Sequence, residues 1–565
     1  MRLPPAFVLL GICALSLMTM CQNPSEGMSV QSLQEVLIHE NDKILATYLE
    51  RQNMDHTSSF YGGFPNRHDI YNPGSAAAIM QRLVAGYVSE SSLYFQDTSV
   101  LQRMDLAMDF LLSSQHPDGT IDLLTTNFHS TPDLAFAIEP TALSYKVLAK
   151  NNDPATIQLR EKLKQFLLRG GQALSTGGIH TPNHRWVVCM ALARLYELFP
   201  SEDYKVRVDA WLNEGIDIDQ DGQYTERSTS VYSPLTNRCL LTVARIMGRE
   251  DLYEDVRSNL SMSVFYMHPN GDVVTEASRR QDQYQAQSPH AYYYPYRYMS
   301  LLDHDTIFGA MVHTLEQELE PSRLSGNLIY FLEDPALSRR VPGGTLPMKY
   351  IRHFSHSDLV RIRDADTDAT ILAKNPAFFT MQKGGTVVQA VRFASAFFGK
   401  GQFVADTLIV QNGVFTLIQK LEGPYYQLFP IDSIPNDASW EKMPRDNRPT
   451  SEVQQLETRI EIQRVNDLFE LDFTVSGTDH VPVAIELAFR KGGRLGGTES
   501  VGEIDQAFFL GEDMGTYKMD TFSITFGPGL HEHKWTQLRG ADPKLDAISV
   551  YLTGYTPFHH RLTFE

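Results

Sequence analysis

The chain has 565 residues, 42% of them hydrophobic and 21% charged, so it can bury two or more sizeable cores and is expected to be a multi-domain globular protein. Its formal net charge of −19 argues against nucleic acid as a partner, because phosphate binding relies on surplus Lys and Arg. An anionic ligand would therefore need a locally basic cleft.

Arg2 and the apolar run Ala6 to Met20 read as an export signal over residues 1–20, too short for a comfortable mature span. Cys21 follows directly, and a polar tether covers 21–28. This arrangement resembles a bacterial lipoprotein signal. The resemblance implies lipidation of Cys21 and a periplasmic or cell-surface location, with membrane contact only through the lipid. Met18-Thr19-Met20 departs from the small residues usual before such a cysteine, which leaves a secreted form as the alternative. Cys189 and Cys239 lie in apolar, helix-like segments and are expected as buried free thiols. No cysteine cluster has zinc spacing, and no cofactor is expected.

Residues 29–340 show helical periodicity, clearest over Leu101 to Leu112, Leu134 to Leu148 and Trp186 to Leu198. Within them a turn glycine recurs in Tyr61-Gly62-Gly63-Phe64, Asp118-Gly119, Gly177-Gly178, Asp221-Gly222 and Asn270-Gly271. After each comes a step that can open a helix: Asn72-Pro73, Thr131-Pro132, Thr181-Pro182, Ser233-Pro234 and Ser288-Pro289. The unit is loop, cap, helix and return helix. If these hairpins close into a ring, the glycine-to-proline loops share one rim, where side chains can converge on a ligand.

The period changes near Val341-Pro342-Gly343-Gly344. Residues 341–565 carry strand-like segments such as 359–363, 386–391, 407–410, 460–462 and 547–552 between Gly, Asp, Asn and Pro turns. Asp437 to Glu452 reads as a long surface loop. The expected fold class is α+β and multi-domain, an N-terminal (α/α) toroid of helical hairpins followed by a C-terminal antiparallel β-sandwich.

The densest polar cluster runs from Asp219 to Pro234 and includes Asp221-Gly222-Gln223-Tyr224-Thr225-Glu226-Arg227-Ser228 and Tyr232. It resembles the Asp-Gly, aromatic, Glu-Arg-Ser, then Tyr stretch of heparinase II/III-like polysaccharide lyases and their alginate and chondroitin lyase relatives. The resemblance implies a toroid joined to β-sheet domains, an acidic polysaccharide substrate and β-elimination at a 4-O-linked uronate. It also implies that Tyr232 takes the C5 proton or donates one to the leaving oxygen. A packing role for Tyr232 as a hydrophobic staple would pair it with Asn237, a poor apolar partner. Tyr224 is the fallback in the same loop.

Asn183 and His184 fall in the first turn of a helix, and the resemblance implies that such an Asn binds the substrate carboxylate. The chemistry demands it, since the C5 proton becomes acidic only when the neighbouring carboxylate charge is neutralised. His129, one hairpin earlier, is a candidate base or carboxylate ligand, and nearby Glu139 a candidate acceptor for sugar hydroxyls. Arg279 and Arg280, with Arg227 and Arg185, are the candidate guanidinium ligands. His290 and Tyr293 offer polar and aromatic surface at the fifth rim loop. His353 and His356 alone do not define a metal site. Two other functions remain open: a toroid glycoside hydrolase using two carboxylates from Asp133, Glu139, Asp219, Asp221 and Glu226, and a non-catalytic glycan-binding lipoprotein.

Overall fold

The computed structural model describes residues 30–565; the export signal and Cys21 lie outside the described residues. The helical part comprises α1 (Val30–Arg51), α2 (Pro73–Val88), α3 (Thr98–Ser113), α4 (Thr131–Asn151), α5 (Ile157–Thr176), α6 (Pro182–Leu198) and α7 (Glu202–Leu212). It continues with α8 (Tyr232–Met247), α9 (Leu252–Ser263), α10 (Tyr293–Asp303), α11 (Thr306–Glu318), α12 (Pro321–Leu324) and α13 (Leu328–Glu333). No helix among the described residues is long and apolar enough to cross a membrane.

Helix α6 is apolar on nearly every side and buries Trp186 through Leu195, as an inner helix must. Helix α5 buries one stripe, Leu159, Leu163, Phe166, Leu167 and Leu174, and so covers the outside. The inner row is α2, α4, α6, α8 and α10, each packed against the next, with α3, α5, α7, α9 and α11 as the return helices. The ring closes through α13, which packs on α1, α2 and α4 and stacks its Tyr330 on Tyr294 of α10 at 4.3 Å. Cys189 and Cys239 are free and buried in the inner helices.

Each of the five proline steps lies at the start of an inner helix or of the short turn leading into it. The caps differ in detail. Ser130 rather than Thr131 caps α4, accepting the N–H of Asp133, so Thr131 is already helical. In α8 the helix begins at Tyr232, and Ser228 Oγ takes the Tyr232 N–H at 3.2 Å. The repeat is also visible in the turns. The N–H of His116, Asp219 and His268 donates to the carbonyl four residues on, and Gly119, Gly222 and Gly271 donate back to the first residue of each turn. Gly119 and Gly222 have φ of +86° and +93°, and a Cβ there would stand 2.3 Å from the Arg169 carbonyl oxygen and 2.5 Å from that of Ser258. Only glycine lets these rim turns sit directly on the return helices α5 and α9.

The β-domain packs a nine-stranded sheet on an eight-stranded one around a core rich in Phe, including Phe378, Phe379, Phe393, Phe473, Phe489 and Phe564. Pairing is antiparallel except where Ala507–Phe509 runs parallel to Ile548–Tyr555 and at an isolated parallel bridge between His531 and Thr553. The expected surface loop is exposed and irregular, spans residues 427–449 and rejoins the sheet at Thr450. Toroid and sandwich meet where Tyr266, Phe265 and Val274 pack on Phe354, Leu359 and Leu372.

Candidate active site

The loop between α7 and α8 is the hub of the candidate site. Asp219 Oδ1 accepts the N–H groups of Asp221 and Gln223, both at 2.9 Å, which fixes the turn. Asp221 Oδ2 accepts the backbone N–H groups of His356 and Ser357 at 2.7 and 2.8 Å. Arg227 donates to the carbonyls of the same two residues at 3.3 and 3.2 Å. A β-domain turn is thereby clasped against the cleft loop. Arg227 has φ of +47°, a strained conformation for a non-glycine residue that persists only when its surroundings fix it.

Beyond Arg227, buried Asp282 ties two loops together. It accepts from Ser228 Oγ, the Ser230 N–H, Ser230 Oγ and Ser278 Oγ at 2.9 to 3.1 Å. This holds Arg279, Arg280 and Gln281 over the start of α8. Gln281 Nε2 donates to the Tyr232 hydroxyl at 3.1 Å, and the Arg280 guanidinium lies 5.3 Å from the Tyr232 ring centroid. Tyr232 is half-buried, with its ring under a cation and its hydroxyl at a polar edge.

Asn183 and His184 occupy the first turn of α6, where the helix dipole favours an anion. The Asn183 N–H donates to Glu226 Oε1 at 3.2 Å and its Oδ1 accepts from Thr181 Oγ1 at 2.6 Å. Its Nδ2 is buried without a partner, as is Glu226 Oε2. Arg280 Nε lies 3.8 Å from that carboxylate oxygen. Burial pushes the His184 imidazole below its ordinary value; His180 and Arg280 push the same way, against the pull of Asp133. His184 is thus neutral near pH 7; its Nδ1 accepts the His180 N–H at 3.4 Å, which leaves Nε2 as the donor. Arg279 is exposed and has no carboxylate within 4 Å among the described residues. Its guanidinium is held below the usual value by burial and by Arg227.

Several expected ligands are engaged elsewhere. Arg185 folds back to Glu214, Asp217 and the Pro182 and Gly215 carbonyls, with its guanidinium over Trp186; it braces α6 and does not present itself to a substrate. Tyr224 is buried and donates to Asn237 Oδ1 at 2.9 Å, so the poor staple partner of Tyr232 serves Tyr224. Tyr293 is fully buried against Glu316 and Arg297. Glu139 is buried and bound by the Tyr330 hydroxyl and Arg238. His129 is exposed with φ of +50°; its imidazole bonds Asp118 at 2.9 Å and stacks on His116 at 3.8 Å, and no hydrogen bond links it to Asn183, His184 or Tyr232. His290 is exposed at the fifth loop, bonded through its N–H to Ser288. Arg227 serves the domain clasp rather than an open binding surface.

The carboxylates a hydrolase would need are committed as well. Asp219, Asp221 and Glu139 are placed above, and Asp133 is bound by Ser130 and Asn127. Of these five, only Glu226 has a fully buried oxygen with no partner among the described residues. Among the described residues no three His, Cys, Asp or Glu side chains gather as a metal site would require. Gln281 and Asp282 were not singled out by the sequence, where the run Arg279-Arg280-Gln281-Asp282-Gln283 looks like any polar loop.

The architecture is that of polysaccharide lyases in which a helical toroid precedes β-sheets. The solved structure of heparinase III matches with a TM-score of 0.52 and 11% identity, over 94% of this chain and 84% of that one. A Streptomyces coelicolor A3 chondroitin AC lyase in complex with chondroitin sulphate matches with a TM-score of 0.53 and 12% identity, over 96% and 80%. A Paenibacillus xanthan lyase matches with a TM-score of 0.57 and 8% identity, over 95% of this chain but 57% of that one. At such identities the likeness is one of fold. No family model and no curated protein matches the sequence.

Proposed function

We propose that this protein is a polysaccharide lyase that cleaves a uronic-acid-containing glycan by β-elimination at the 4-O-linkage and leaves a C4–C5 unsaturated uronate. The observation that carries the reading is a chain of contacts: Glu226 takes the Asn183 N–H and faces Arg280, and Arg280 lies over the Tyr232 ring and within electrostatic reach of His184. In this scheme the Asn183 amide and Arg280 neutralise the uronate carboxylate and hold the charge that develops as the C5 proton leaves. Tyr232 moves the proton at C5 or at the departing O4, and neutral His184 is the second proton-transfer group. The buried unpartnered Asn183 amide supports the assignment, because an unsatisfied donor costs about 1–3 kcal/mol and a substrate oxygen would relieve that cost. Arg279 adds local positive field to an acidic protein.

Uronate glycans of the heparin, chondroitin, alginate, ulvan and rhamnose-capped glucuronan types all present the required group. Incubation with such a panel should raise the ultraviolet absorbance of a conjugated unsaturated uronate on at least one member. Sugar release without that absorbance would replace this reading with hydrolysis. We also propose export with a lipid on Cys21; Cys21→Ser should release the protein from the membrane fraction, and unchanged sedimentation would reject the anchor.

A further inference from the structure

Among the described residues, Glu226 is the one carboxylate of the loop between α7 and α8 with a fully buried oxygen left over. It is buried, at 8% exposure, in a loop whose backbone is fixed on both sides, at Asp219 and at Asp282. One oxygen receives the backbone N–H of Asn183. The other has no hydrogen-bond partner and faces Arg280 Nε at 3.8 Å. That separation is too long for a hydrogen bond, so the ion pair stays loose. Arg280 in turn covers the Tyr232 ring. The two halves of the proposed site, the Asn183 turn on α6 and the tyrosine on α8, are therefore joined through two side chains, Glu226 and Arg280.

We infer that Glu226 is the positioning residue that sets the Asn183 turn and Arg280 against Tyr232, acting through Arg280 rather than on the substrate. The inference rests on the lyase reading above. Its physical basis is the contrast between the two oxygens. The Asn183 bond needs only an acceptor, whereas holding Arg280 needs the negative charge, because a loose pair is steered by Coulomb attraction and not by hydrogen-bond geometry. Without that charge the guanidinium is free to swing toward solvent, and a misplacement of about 1 Å at such a group costs on the order of 100-fold.

The test is a double-variant cycle on the full chain with the glycan that gives the unsaturated product. Glu226→Gln keeps an acceptor for Asn183 and removes the charge. It should lower kcat by about 10- to 100-fold and leave KM within about threefold, since the residue does not touch the substrate. Arg280→Gln should lose a similar amount. The double variant should be no worse than Arg280→Gln alone, because residues acting through one another are not additive. Glu226→Asp, with the charge on a shorter arm, should recover part of the rate. Multiplicative losses in the double variant, or full kcat in Glu226→Gln, would overturn the inference while leaving the lyase reading in place. Absence of unsaturated product from the wild type on every uronate glycan would overturn both. If Glu226→Gln melts below the assay temperature, Arg280→Gln decides alone: its side chain is exposed, and full kcat there rejects the inference.

Discussion

Two buried polar clusters flank the loop that runs from His268 to Asp282, and they are built on opposite principles. On the sandwich side, His268 bonds Asp368 at 2.9 Å and lies 3.4 Å from Glu276. Glu276 also receives Thr370 and Thr380, and Arg361 pairs with Asp368 while donating to the Phe265 and Met267 carbonyls. On the other side, among the described residues, Asn183 Nδ2 and Glu226 Oε2 have no hydrogen-bond partners and Arg279 has no carboxylate within 4 Å. The first cluster ties the two domains together; the second lies at the starts of α6 and α8. Asp368 Oδ1 in the first cluster is likewise buried without a partner among the described residues, so what sets the second apart is its loose Arg280–Glu226 pair and the exposed Arg279 beside it.

The contrast would be broken most severely at the tyrosine. Tyr232→Phe removes a proton-transfer group and should lower kcat by about 10²- to 10⁴-fold without changing the melting temperature; full activity would remove Tyr232 from the mechanism. Asn183→Ala should cost about 10²- to 10³-fold in kcat, measured as initial rate of unsaturated product. The pH profile sharpens the role of the neighbouring histidine. Because His184 is held below its ordinary value of about 6.5 by burial, the acid limb of kcat/KM should have its midpoint below that pH, and His184→Ala should abolish the limb.

The interface cluster responds in stability instead. Burial alone would lower the His268 imidazole, but Asp368 and Glu276 raise it to about 9. Burial alone would raise the Glu276 carboxyl, but His268 and Arg361 hold it well below the usual range. The histidine contribution is therefore complete below about pH 6.5 and is lost as pH rises through about 9. The Glu276 contribution is present above about pH 4.3 and disappears on stronger acidification. Denaturant titrations should show His268→Ala destabilising by about 3–5 kcal/mol near neutrality and by much less at pH 10. Equal losses at both pH values would contradict the charge account. The smallest expected effect belongs to Tyr293→Phe, which removes a buried hydroxyl bonded to Glu316; it should cost about 1–3 kcal/mol and leave kcat unchanged.

The repeat was legible because it rests on backbone requirements. Gly119 and Gly222 must be glycine to lie against the return helices, and proline can occupy a first helical turn at no cost in hydrogen bonds. The toroid-then-sandwich order follows from a change in apolar period that no single residue decides. Tyr232, Asn183, His184 and Arg280 stand out through motif and rim position, and contacts through Glu226 and Arg280 link Asn183 to Tyr232. Arg185, Tyr224, Tyr293 and Glu139 were not distinguishable from them in one dimension. Polar side chains at a helix start look alike until it is known which way they turn, and these four turn inward to partners far along the chain, such as Tyr330 for Glu139. Gln281 and Asp282 escaped notice for the converse reason. Their function comes from loops about 50 residues apart meeting, and no local pattern encodes that meeting.

The central claim is elimination rather than hydrolysis at the cleft that carries Tyr232, and fragment mass reads it directly. Digestion of a responsive uronate glycan should give oligosaccharides whose new non-reducing ends are each lighter by one water than hydrolytic ends, with Tyr232→Phe giving almost none of them. Fragments of full hydrolytic mass would contradict the account.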